Sequence, residues 1–265
     1  MSFQPVIPQT GLAGWRFLER TIERQTGVFD TKPELIRDTA YFEANIGKIS
    51  SPEQLVADRR LLRVALGAFG LQDDINNRFF IRKVLEGGVL NETSLANRLG
   101  DERYRELTRA FGFGDLAIPS SKLSDFGPKI TERFRRQQFE LAVGEQNEAL
   151  RLALNAAREL PSLAASPDSD KTKWFRVMGR PPLRTLFETA LGLPKSFGTL
   201  DLDRQLSVFQ DRARSQLGLS GLSELGDQKM QDKLIQRFLL RADGGNAFSN
   251  SSASVALDLL MAKRR

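Results

Sequence analysis

The stretch Asp58–Gly114 reads DRRLLRVALGAFGLQDDINNRFFIRKVLEGGVLNETSLANRLGDERYRELTRAFGFG, and its reading decides the fold class. Twice an apolar run at helical spacing closes on an aromatic residue, a glycine and another apolar residue: Phe69-Gly70-Leu71 and Phe111-Gly112-Phe113. A glycine just past a helix takes the left-handed conformation without steric cost, and the apolar residue after it folds back on the last turn. The stretch therefore predicts short helices that stop sharply and pack. It holds no residue pattern with a recognisable reaction.

Upstream, Ser51-Pro52-Glu53-Gln54 has the form of a capping box, with serine at the N-cap and proline at the first helical position. The helix it opens carries Leu55, Leu62, Leu66 and Phe69 on one face. Asp73 or Asp74 is the expected cap of the helix through Phe79, Phe80 and Leu85, and Asp101 of the helix through Tyr104, Leu107 and Phe111. Downstream, Ile130, Phe134, Leu141, Ala149, Leu152, Ala156 and Leu160 keep a near-3.6 spacing and predict one long helix over about 128–160. Residues 161–172, PSLAASPDSDKT, break the period and form the best linker. Helical spacing resumes at Trp174–Met178, Leu183–Leu191, Leu202–Leu217 and Met230–Leu240.

The stop recurs at Leu191-Gly192-Leu193 and Leu217-Gly218-Leu219. Its uneven spacing does not support a solenoid repeat, and independent use of a common cap is preferred over duplication about the linker. Period-two alternation is nowhere sustained. The expected fold is all-α: a multi-helix bundle of short packed helices with one long helix, in two helical subdomains if 161–172 is a linker. The expected division is 1–12 as a flexible N-terminus, 13–160 as a helical domain, 161–172 as linker, 173–242 as a second helical part, and 243–265 as a flexible tail with a short helix.

Composition restricts the chemistry. The 265 residues include no histidine and no cysteine. That removes imidazole bases, thiolate nucleophiles, disulfides and the commonest metal ligands. An enzyme would have to work with carboxylates, lysine, arginine, tyrosine or hydroxyls. Phenylalanine is used 18 times against 2 tyrosines and 2 tryptophans, which suits a dry core. No secretory leader and no membrane-length apolar run is visible, so a soluble protein made in the cytoplasm is expected.

The net charge is +6, but acids and bases interleave along most of the chain, as solvated helix faces do. The best nucleic-acid candidates are Lys129, Arg133, Arg135 and Arg136, and Lys171, Lys173, Arg176, Arg180 and Arg184. No helix-turn-helix spacing or stacking-aromatic pattern accompanies them, so solvated surface is the preferred reading. Gly112-Phe113-Gly114 lacks the strand and the third glycine of a dinucleotide loop. Asp201 and Asp203 read as helix-start residues rather than cation ligands. Asp243-Gly244-Gly245-Asn246 lacks the acids of a calcium loop. No catalytic residue, metal site or cofactor is expected. The candidate partner-binding residues are Val255, Leu257, Leu259, Leu260 and Met261, a short apolar tail behind the Ser/Asn stretch 249–254.

The block Asp58-Arg59-Arg60-Leu61-Leu62 through Ala68-Phe69-Gly70-Leu71, with Phe79–Glu86, Leu95–Leu99, Tyr104 and Ala110–Phe113, resembles an uncharacterised alphaproteobacterial family, the domain of unknown function 1217. The resemblance extends over most of the chain. It implies a largely helical protein, often encoded among flagellar genes, with no catalytic residues or cofactor to carry over. Two functional expectations follow. One is a non-enzymatic, flagellum-associated protein acting through a protein partner, cytoplasmic or reaching the flagellum by a route that needs no Sec signal. The other is a nucleic-acid-binding regulator using 129–136 and 171–184.

Overall fold

The four glycine stops set the architecture. In the computed structural model, which describes residues 3–243, Gly70, Gly112, Gly192 and Gly218 all take positive φ, at 69°, 66°, 63° and 72°. At three of them the following leucine N–H returns to the last turn: Leu71 to the Leu66 carbonyl (2.9 Å), Leu193 to Glu188 (2.8 Å) and Leu219 to Ala213 (3.2 Å). The helix-end carbonyls are thus satisfied and the leucine is pressed onto the helix it ends. Each of the four stops is followed by a 3-10 turn and then by a new α-helix.

The helices in chain order are α1 (Gly11–Phe29), α2 (Pro33–Asn45), α3 (Pro52–Ala57), α4 (Arg59–Ala68), α5 (Arg78–Glu86), α6 (Leu95–Arg98), α7 (Glu102–Phe111), α8 (Phe126–Gly144), α9 (Glu148–Ala165), α10 (Asp170–Met178), α11 (Pro181–Leu191), α12 (Leu202–Leu217) and α13 (228–243). Five 3-10 turns intervene, at Ile46–Lys48, Gln72–Asn76, Ser120–Lys122, Lys195–Thr199 and Leu222–Gly226. The described residues contain no strand, so the fold is all-α. No described helix is long and apolar enough to cross a membrane.

Three expected helices differ from those observed, each for a local reason. The run from Ser51 divides at Asp58, whose Oδ1 accepts from Arg60 N (2.9 Å) and Leu61 N (3.1 Å) and so starts α4 afresh. The single long helix over 128–160 is two helices. Asn147 turns its Oδ1 to the Leu150 N–H (3.0 Å) and caps α9. A short amide that can bond the backbone locally opposes passage through a helix and favours its start. Asp74 caps nothing; it accepts from the Tyr104 hydroxyl at 2.6 Å and from Asn77 at 2.7 Å, and a 3-10 turn occupies 72–76.

The chain does not divide at 161–172. Residues 3–6 and Thr21–Val143 form one unit, and Ile7–Arg20 with 144–243 form the other. Helix α9 runs through Pro161 to Ala165, and α10 begins at Asp170 behind a Ser169 cap, leaving only 166–169 between them. A proline inside a helix costs roughly 3 kcal/mol. Burial of Leu160 and Leu163 in the last turns offsets it, at roughly 1.5–3 kcal/mol for each side chain.

The N-terminal segment also differs from a free arm. The Gln25 side chain accepts from the Val6 N–H (2.7 Å) and donates to the Val6 carbonyl (3.2 Å), pairing the extended chain as a strand would.

The first unit buries Phe42, Leu62, Leu66, Ile81, Phe111 and Phe134. The second is organised on aromatic contacts. Trp174 stacks on Phe209 at 5.7 Å and meets Phe187 edge-on at 5.5 Å, and Phe197 meets Phe209 at 4.9 Å. Such pairs add about 0.5–1.5 kcal/mol beyond burial.

Candidate partner surfaces

The residues expected to meet a partner, Val255, Leu257, Leu259, Leu260 and Met261, lie outside the described residues, as does Gly244 onward of the glycine-rich break. The other sequence candidates have structural roles. Gly112 is the left-handed stop of α7. Gly114 sits where a Cβ would come within 2.5 Å of Gly88 N and 2.6 Å of the Glu86 carbonyl, so it permits close backbone approach. Asp201 caps α12 by accepting from Arg204 N at 2.8 Å. No cluster of potential metal ligands occurs among the described residues.

Both basic runs are drawn into local partnerships. Lys129 pairs with Asp125, just before α8, and Arg136 with Glu132 one turn away on it. Arg133 reaches Glu106 at 2.7 Å and lies 4.1 Å above the Phe69 ring. In the second run Arg176 meets Asp168 (2.8 Å), Arg180 meets Glu159 (3.3 Å) and Arg184 meets Glu188 (2.7 Å). Lys173 is buried; it donates to the Ala164 carbonyl and to Ser223 Oγ, both at 2.7 Å. An ammonium at the last turn of α9 complements the negative end of that helix.

Both tyrosines are likewise structural. Tyr41 donates to Asp58 at 2.7 Å and Tyr104 to Asp74 at 2.6 Å. The bond to Asp58 pushes the Tyr41 phenol above its ordinary range. Burial, then the Asp74 carboxylate, does so more strongly for Tyr104, so both stay protonated donors.

Two surface features of the first unit have no such explanation. The first is a ridge of exposed apolar side chains on the connections after α5 and α7. Leu90 is 77% exposed, Ile118 70%, Leu123 59% and Leu116 51%. The backbone at 89–91 is fixed. The Asp115 carboxylate accepts from Val89 N (2.8 Å) and Leu90 N (3.0 Å), and Asn97 donates to the Val89 and Asn91 carbonyls, both at 2.8 Å. Clustered apolar side chains on a held loop mark contact surfaces more often than packing. The sequence carries a signal for it: between Gly112 and Phe126 apolar residues occur with no helical period to hide them.

The second feature is a cleft of about 420 Å³ bounded by α2, α4, the 72–76 turn and α8. Its apolar lining includes Leu35, Ile75, Phe134 and Leu141. Gly67 lets the Phe134 ring lie against α4, since a Cβ there would come within 2.5 Å of that ring. Gln72 also lines the cleft, and its Oε1 is buried without a hydrogen-bond partner. The lining is basic. Lys32, Arg59 and Arg63 stand against Glu34 and Asp38, and an adjoining concavity that shares Glu34, Asp38 and Arg63 adds Arg37 and Arg60. Asp38 alone serves two guanidiniums, Arg63 at 3.4 Å and Arg60 at 3.7 Å. Arg59 reaches the neutral Asn76 amide at 3.1 Å, and Lys32 lies 4.0 Å over Phe29. This patch joins residues from 32–37 and 59–63, so no contiguous run announces it.

A family model described as "Protein of unknown function (DUF1217)" matches residues 68–233. A solved structure also matches: an X-ray structure of a protein from Agrobacterium tumefaciens, determined as a structural genomics target. It is 25% identical, with a TM-score of 0.74, and the match covers 92% of this chain and 100% of that one. No curated protein matches the chain. The ridge lies inside the matched span; the basic residues beside the cleft precede it.

Proposed function

The chain belongs to the DUF1217 family, and from that premise we propose that it is a non-enzymatic, flagellum-associated protein that acts by binding another protein, as a structural part, an assembly factor or an export-linked protein. The observation that carries the binding role is the set of four exposed apolar side chains at Leu90, Leu116, Ile118 and Leu123, of which Leu90 stands on backbone held by Asp115 and Asn97, while Leu116 and Leu123 donate backbone N–H bonds to Gly112 and Ser120. Large apolar anchors on a preorganised support are what a partner can bury at low entropic cost. The flagellar part of the reading rests on the family resemblance and what it implies about gene context. The absence of histidine and cysteine from the sequence agrees with a role that needs no reaction. Val255, Leu257, Leu259, Leu260 and Met261 are proposed as a second contact, so removing 245–265 should weaken partner binding more than it lowers the unfolding temperature.

The test is co-purification from motile cells. Wild-type protein should retain an identified flagellar component, and a Leu116→Ser/Ile118→Ser/Leu123→Ser variant should lose it while still folding. Equal retention by the variant removes the ridge from the account. The regulator reading predicts instead micromolar or tighter DNA binding with a steep salt slope. We expect no such binding at physiological salt, because the cations of runs 129–136 and 171–184 are largely engaged by acids and carbonyls of their own unit.

A further inference from the structure

We propose that the cleft between α2, α4 and α8 is a binding site for an acidic, amphipathic segment of a partner protein. The segment would seat one apolar side chain against Phe134, Ile75 and Leu141 and set its carboxylates against Arg59, Arg63 and Lys32. This site is separate from the ridge and does not depend on a flagellar partner.

Two observations converge. The cleft is of the size that takes a small molecule or the anchoring side chain of a peptide, and Leu35, Ile75, Phe134 and Leu141 give it apolar lining. Its lining carries a local excess of positive charge: with the adjoining concavity it counts Lys32, Arg37, Arg59, Arg60 and Arg63 against Glu34 and Asp38. Arg133 and Lys129, by contrast, each have an acid of their own, Glu106 and Asp125. An excess kept at one concavity attracts a negative ligand and orients its approach.

The combination selects among anions. A nucleic acid would use the guanidiniums but leave an aliphatic wall of Ile75, Leu35 and Leu141 unsatisfied. A purely acidic chain would use only the charged side. An amphipathic acidic segment uses both, in the manner of a helix laid into a groove with its apolar residues inward.

The experiment uses the full chain and three fluorescein-labelled probes: a helical peptide with leucine on one face and glutamate on the other, the same peptide with serine for leucine, and a single-stranded oligonucleotide. The leucine–glutamate peptide should bind saturably with a dissociation constant of about 100 µM or tighter at low salt, and binding should weaken as salt rises. Arg59→Glu/Arg63→Glu should weaken it about tenfold, and Leu141→Trp, which fills the cleft without changing charge, by a similar factor. Lys129→Glu/Arg136→Glu removes as much positive charge elsewhere in the unit and should leave binding unchanged. Arg59 and Arg63 are exposed, so their reversal should not alter the far-UV circular dichroism; Leu141→Trp serves as the independent check if it does. The proposal is overturned if the leucine–glutamate peptide shows no saturable binding. It is equally overturned if the serine peptide or the oligonucleotide binds as well through the same arginines, or if the Lys129/Arg136 variant weakens binding to the same degree.

Discussion

Two connections in this protein share one plan and end differently. Both follow a helix stopped by a left-handed glycine, Gly112 in the first unit and Gly218 in the second. Both pass through a 3-10 turn and lead into another helix. In the second unit the apolar residues of the connection are core: Leu219 is 2% exposed, Leu222 0% and Leu225 1%. In the first, Leu116, Ile118 and Leu123 are all more than half exposed. The stop and turn are satisfied in both places, so backbone geometry does not force the leucines out. The difference lies in what stands beneath. The 222–226 turn is pressed against α9 by its leucines, whereas the 120–122 turn packs on 46–49 through polar groups, Ser121 Oγ to the Ile49 carbonyl and Lys122 to the Gly47 carbonyl, and leaves the apolar residues on either side of it exposed. Apolar surface displayed where the same plan elsewhere hides it is the strongest mark of a contact role here.

The comparison can be broken most forcefully from the buried side. Leu222→Ala should cost about 2–5 kcal/mol in urea unfolding, as a fully buried leucine does. A cost below about 1 kcal/mol would show that the 222–226 turn is not core and that the contrast is false. Next in size, Gly114→Ala sets a Cβ against the backbone of Glu86 and Gly88 and should cost about 1–3 kcal/mol, because neither contact can move without shifting a loop. Asp115→Ala should cost about 1–2 kcal/mol by leaving the Val89 and Leu90 N–H groups without their carboxylate, with faster amide exchange confined to 88–91.

The smallest effect concerns pH. Glu19 is held above its ordinary pKa, first by burial and then by Asp232, both in the second unit. A raised carboxyl favours the folded state at low pH, and that contribution is lost as pH rises through the folded value. Glu19→Gln should therefore unfold at a higher temperature than wild type at about pH 7, with the gap closing as pH falls to about 4. Asp30 in the first unit is raised by burial too, with Arg135 opposing the shift as Trp15 and Arg16 oppose it at Glu19. Asp30→Asn should therefore also unfold at a higher temperature at about pH 7, and no gain in either variant would show that burial holds neither carboxyl up.

What the sequence disclosed was local. The stops at Gly70, Gly112, Gly192 and Gly218 and the caps at Ser51, Asp101 and Asp201 depend on bonds spanning a few residues, and all are found. Where a local signal competed with a longer pattern, the pattern misled. The apolar period across Gly144 and Asn147 continued while the helix did not, and Pro161 broke the period while the helix continued. The basic runs looked free because Glu106, which neutralises Arg133, and Ser223, which receives Lys173, are distant in sequence. For the same reason the basic surroundings of the cleft form no run in the sequence. Arg59, Arg60 and Arg63 stand among the packing residues of 58–114, and Lys32 and Arg37 meet them only in the folded unit.

The most direct test is urea unfolding of the Leu116→Ser/Ile118→Ser/Leu123→Ser protein beside wild type. If the ridge is displayed surface, the midpoint and slope should agree with wild type to within about 1 kcal/mol, since exposed apolar side chains contribute little to the core. A loss of several kcal/mol, comparable to that of Leu222→Ala, would show that these leucines hold the fold together and would contradict the account.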